Sequence, residues 1–88
     1  MAKGTASDAL VRQAKREIRA CQDYLARHFA NPTTEEVRDA KALAEQRIRP
    51  LAVATRDRDA ARITAASKNL SKVMIYLWAL RQFRAKGD

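Results

Sequence analysis

The side chains in this chain best able to do chemistry are cations. Arg12, Arg16, Arg19 and Arg27, with Lys15 at the edge, recur at spacings that put them on one arc of a helix, with Asp23 in the middle of that arc. Guanidinium groups in such a row can reach successive phosphate oxygens of a nucleic acid backbone, a contact that gives affinity without sequence preference. A second set, Arg58, Arg62 and Lys72, shares an arc with Asn69 and Tyr76 near the other end of the chain. Amide, guanidinium and phenol groups there could read base edges or stack. The alternative for both arcs is a solvated surface laced with pairs such as Arg19–Asp23–Arg27, each worth a few tenths of a kcal/mol.

Catalysis finds little to build on. There is no Gly-rich phosphate loop, no nucleophile next to a readable base and no convergent pair of carboxylates. His28 is the sole histidine and Cys21 the sole cysteine, too few for a metal site; both fall on the apolar stripe of their helix, where each reads as a packing residue. The sequence gives no reason to expect an enzyme, a catalytic residue, a metal or a cofactor. One cysteine also excludes an internal disulfide framework and suits a reducing compartment.

The net charge of +8 strengthens the case for an anionic partner: a nucleic acid (DNA or RNA), an anionic lipid or an acidic protein. Residues 1–31 carry +3 and residues 57–88 carry +4, against +1 between them. The sequence pI is about 10.4. The Ala- and Arg-rich make-up has a bacterial or phage-like character.

Three helices have to hold these residues. The 88 residues include two Gly and two Pro, 47% hydrophobic and 32% charged residues, a composition for one globular domain of long helices and short links. Residues 1–6 read as a flexible N-terminal arm, and residues 7–86 as the domain. The first helix, about 7–30, is capped by Ser7 or Thr5 with Asp8 in its first turn, and Val11, Ala14, Ile18, Cys21, Leu25 and His28 form its inner stripe. Thr33 and Glu36 have the spacing of a capping box at the start of the second helix, about 34–55. Pro50 predicts a kink or a break near Arg49. Thr55 or Asp57 would cap the last helix, about 58–85.

That last helix contains the most unusual stretch. Ile63, Ala66, Leu70, Val73, Leu77 and Leu80 make one apolar stripe, while Tyr76, Ala79 and Phe83, with Ile75, lie on the other side, and Val73 to Leu80 contains no charge. A surface helix needs only one such stripe. The second face predicts an intermolecular contact through Ile75, Tyr76, Trp78, Ala79 and Phe83, either a dimer seam or a docking face. The run is far shorter than the roughly 20 residues that span a bilayer. Trp78, Tyr76 and Phe83 beside Lys72, Arg81, Arg84 and Lys86 resemble an interfacial membrane helix, but the good core stripe on the same helix argues against that use. The start of the chain lacks the apolar core of a signal peptide, so the expectation is a cytoplasmic protein with no membrane contact.

The expected fold is therefore all-α: an antiparallel three-helix bundle or helical hairpin with a long C-terminal helix, joined as a homodimer through the end of that helix. The expected core is Val11, Ile18, Leu25, Val37, Leu43, Ile48, Leu51, Ile63, Leu70, Val73, Leu77 and Leu80. The leading function is a small, basic, non-enzymatic binding protein that contacts nucleic acid or a nucleoprotein. The alternative is a protein-interaction module, an adaptor or inhibitor, that docks on an acidic partner through its aromatic end.

Overall fold

A computed structural model describes residues 5–87, with side chains described through Phe83. Over that span the protein is all-helical: α1 (Asp8–His28), α2 (Glu35–Arg56) and α3 (Ala60–Gly87).

Local chemistry sets each boundary. Ser7 caps α1 by accepting a hydrogen bond from the Leu10 amide at 3.1 Å, and Asp8 puts a carboxylate at the positive end of the helix dipole. At the start of α2 the cap is Thr34, which accepts from the Val37 amide at 3.1 Å. The cap thus lies one residue after the expected Thr33, and Val37 at the third helical position has no carboxylate to close a capping box around it. The shift places Glu35 and Glu36 together in the first turn, and it leaves the Glu36 carboxylate to accept a hydrogen bond from the Tyr76 hydroxyl at 2.6 Å.

α2 continues through Pro50 as one helix rather than breaking there. Pro50 and Gln46, whose carbonyl loses its helical donor to the proline, are both exposed, so water can satisfy that carbonyl.

The link from α2 to α3 is tighter than its polar sequence suggests. The Asp59 amide donates to the Ala54 carbonyl (3.1 Å) and the Arg58 amide to the Thr55 carbonyl (3.1 Å), the paired bonds of a Schellman motif. Such a motif needs a left-handed residue, and Arg58 supplies it at φ 54°. The cap of α3 is Asp59, whose carboxylate accepts from the Arg62 amide at 3.1 Å. Neither Thr55 nor Asp57 is free for that task. Thr55 is buried within α2 and its hydroxyl donates to the Leu51 carbonyl at 2.6 Å, while Asp57 is the C-cap of α2.

The N-terminal segment packs against this link. The Ala6 amide donates to the Arg58 carbonyl at 2.8 Å, Thr5 forms an antiparallel bridge with Asp59, and Ala6 is buried. Thr5 and Ala6 are therefore docked, which corrects the expectation of a free arm for those two residues; positions 1–4 of that arm lie outside the described residues. The contact brings the start of α1 beside the start of α3. The two helices thus run parallel, with α2 antiparallel to both.

The α2–α3 packing is the most extensive, α1–α2 is next and α1–α3 is least. Small residues at the interfaces, Ala14, Ala40, Ala44, Ala54 and Ala66, are all buried and let the backbones approach closely. Leu51, Ile63, Leu70 and Leu77 fill the centre. The expected core residues are buried with three exceptions. Ile18 and Leu80 are half-buried at its edge, and Leu43 is 39% exposed. Leu43 lies about 100° around the helix from the fully buried Ala44, off the side that faces the core. His28 is also exposed rather than inward, because Phe29 takes the last core position of α1. The molecule measures 56 × 19 × 17 Å. Tyr76 is level with the first turn of α2, so the final turns of α3 project past its start.

Candidate nucleic-acid interface and the exposed end of the third helix

The inner side of α1 is fixed by Val11, Ala14, Cys21 and Leu25, which sends Arg12, Lys15, Arg16, Arg19 and Arg27 outward. All five are exposed, and none forms an ion pair with any described residue. The Arg19–Asp23–Arg27 pairs of the solvated-surface alternative are not formed. Arg12 to Arg27 spans about 22 Å of helix at 1.5 Å per residue, a length comparable with six or seven base-pair steps.

The second expected set behaves differently. Arg58 belongs to the fold: its Nη2 donates to the Ala6 carbonyl at 3.2 Å and to the Asp8 carboxylate at 2.5 Å. Arg62 Nε is 3.5 Å from Asp59 Oδ2. Only Lys72 is exposed without an ion pair among the described residues. Arg58 and Arg62 thus serve the fold, and of this set's cations Lys72 alone is left for a partner.

The expected partner face is likewise exposed but not a single stripe. Ile75 (65% exposed) and Trp78 (54%) turn toward α1, where with Tyr24 and Met74 they line a shallow cleft of about 260 Å³. Tyr76 turns to the other flank and donates to Glu36; that hydrogen bond raises the phenol above its ordinary pKa. Ala79 points outward and Phe83, at 80% exposed, projects beyond α2.

Comparison with protein-family models, curated proteins and solved structures finds no match in any of the three.

Two groups near the α1–α3 seam escaped the sequence reading. Glu17 accepts from the Ser67 hydroxyl at 2.7 and 3.0 Å, an interhelix bond invisible to helical spacing. The Tyr24 hydroxyl is buried without a hydrogen-bond partner among the described residues. Its ring packs edge-on against His28 at 4.9 Å and tilted against Phe29 at 5.8 Å. An unmade hydrogen bond of this kind costs about 1–3 kcal/mol. The only advance signal was its angular position, about 80° from Ala14, at the margin of the inner stripe.

Cys21 is buried, and desolvation, followed by the nearby Glu17 charge, raises its thiol from 9.0 to about 11. That environment suits an inert packing thiol rather than a nucleophile. Among the described residues no group of three or more His, Cys, Asp or Glu side chains could hold a metal ion, and no helix is long and apolar enough to cross a membrane.

Proposed function

We propose that this protein is a non-enzymatic nucleic-acid-binding protein that contacts phosphates through the outer face of α1. The observation that carries the reading is the contrast between its cations. Arg58 and Arg62 have carboxylate partners, whereas Arg12, Lys15, Arg16, Arg19 and Arg27 face solvent with no ion pair among the described residues. Unpaired exposed cations give up no internal contact when they meet a phosphate, and the counterions they displace drive binding. Asp23 lies on the arc but forms no ion pair with its cations, and five cations against one carboxylate keep the field positive, which speeds encounter with a polyanion. Phosphate contact of this kind does not depend on base identity, so the expected binding is largely sequence-independent and open to DNA or RNA.

The test is a titration against labelled random-sequence duplex DNA at several salt concentrations. Log affinity should fall steeply with log salt. Replacing Arg12, Arg16 and Arg19 together by Ala should weaken binding and reduce the slope by about 2–3, since each phosphate contact contributes about 0.9. An unchanged slope in the triple variant removes α1 as the contact surface, and no binding at physiological salt removes the reading altogether.

A further inference from the structure

We propose that the groove between α1 and α3 is the docking site for an acidic, amphipathic helix of a partner protein. The inference concerns a different kind of ligand, and of the five α1 cations assigned to phosphate it involves only Arg27.

The groove follows from the packing. α1 and α3 both lean on α2 and approach each other least. Their parallel seam holds two depressions in line: an upper one with Leu10, Ala14 and Ile63 in its wall, and a lower one walled by Met74, Ile75 and Trp78. Ile63 to Trp78 covers about 22 Å along the axis, room for a helix of four turns. A fourth helix laid there would complete a four-helix arrangement, the usual way to cover an unpartnered helix pair.

Charge specifies the occupant. Lys68 lines the upper depression, and Arg27, Lys72 and Arg81 each lie three residues, about one helical turn, from a wall residue of the lower one (Tyr24, Ile75 and Trp78); all four are exposed and without an ion pair among the described residues. The acid on the seam, Glu17, already accepts from Ser67. An apolar floor with cationic margins selects a helix with an apolar stripe and Glu or Asp on its flanks. A second copy of this chain would bring the same cations against them and a further charge of +8.

The sequence has one tryptophan, Trp78, and it sits in the groove, so its emission reports occupancy directly. The probe is a synthetic 18-residue helical peptide with a Leu/Ala stripe and Glu flanks, lacking Trp and Tyr, together with its counterpart carrying Lys in place of Glu. The Glu peptide should shift Trp78 emission to the blue and saturate in the millimolar range, and the Lys peptide should not. Ile75→Glu should weaken the response at least about tenfold while leaving the helical circular dichroism intact, because Ile75 is 65% exposed. No saturable response to the Glu peptide, or an equal response to both peptides, overturns the proposal. A blue shift that grows with protein concentration alone assigns the groove to a second copy and also overturns it. So does a single-stranded oligonucleotide that quenches Trp78 in the parent protein but not in Ile75→Glu, since the groove would then stack bases.

Discussion

Arg58 offers the sharpest test of the fold, because its backbone and its side chain pull in opposite directions. Its φ of 54° is a conformation that costs an L-residue roughly 1–2 kcal/mol and glycine almost nothing. Against that cost stand a charged hydrogen bond to the Ala6 carbonyl and an ion pair with Asp8. The ion pair is exposed, with side-chain accessibilities of 45% and 81%, so about 0.2–1 kcal/mol is reasonable for it. The half-buried carbonyl bond adds about 1 kcal/mol. Arg58→Ala keeps the strained backbone and loses both links, so it should destabilise the protein by about 1–2 kcal/mol. Arg58→Gly loses the same links but relieves the strain. Allowing for glycine's extra chain entropy, it should be more stable than the alanine variant by about 0.5–1 kcal/mol. Urea unfolding followed by circular dichroism resolves these differences. At a slope of about 1 kcal/mol per molar urea, Arg58→Ala should lower the midpoint by about 1–2 M. An alanine variant as stable as the parent, or a glycine variant less stable than the alanine one, would refute the account of the link. The same pair bears on function: Arg58→Ala should leave the salt dependence of DNA binding unchanged, whereas Arg16→Ala should reduce its slope by about 0.9.

Two further predictions concern the interior. Leu51→Ala should cost about 2–5 kcal/mol, because Leu51 is fully buried, whereas Leu43→Ala on the same helix should cost less than about 1 kcal/mol; equal losses in denaturant melts would contradict the position of the core. Cys21 should react with a disulfide reagent at pH 8 about a hundredfold more slowly than an ordinary thiol, on thiolate fraction alone, since its pKa is raised from 9.0 to about 11. The sign of the linkage is that of a raised pKa: the folded state favours the protonated thiol, so this contribution is complete below pH 9 and is lost as pH rises through 11. Tyr76, whose phenol donates to Glu36, shifts the same way, so stability should fall across this window and fall less in Cys21→Ala. Identical pH profiles for the two proteins would show that Cys21 is not desolvated.

Helical periodicity revealed most of the core and little of the polar surface chemistry. The stripe of α3 from Ile63 to Leu77 could be read from spacing alone, because burial repeats with the helix. Caps are harder. Thr33 and Thr34 are both good N-cap types, and so are Thr55, Asp57 and Asp59; residue type cannot choose among neighbours that differ by one or two positions. What chose Asp59 was the Schellman motif, which consumes two residues after α2 and needs a left-handed residue where the sequence offers no glycine. Arg58 was misread for the same reason. On a helical wheel it belongs to the basic arc with Arg62, but it precedes α3 and its guanidinium anchors Ala6 and Asp8. That the α1 cations are exposed could be read from spacing because they stay within one regular helix throughout.

The apolar end of α3 also sets a scale for what can bind there. Ile75 and Trp78 together expose on the order of 250 Å² of largely apolar side chain in the groove, worth about 6 kcal/mol if covered at about 25 cal/mol per Å². Association itself costs about 4 kcal/mol or more, so the groove floor alone would yield only weak binding. The cationic margins must then supply much of the selectivity, through encounter rate and rejection of wrongly charged partners. This ordering predicts a salt signature different from that of α1. Groove occupancy should weaken only modestly with salt, because its apolar term is unscreened, while phosphate contact along α1 should weaken steeply. Trp78 emission and DNA affinity measured across one salt series on one protein sample therefore separate the two surfaces. Parallel losses in both would mean that a single electrostatic surface governs them.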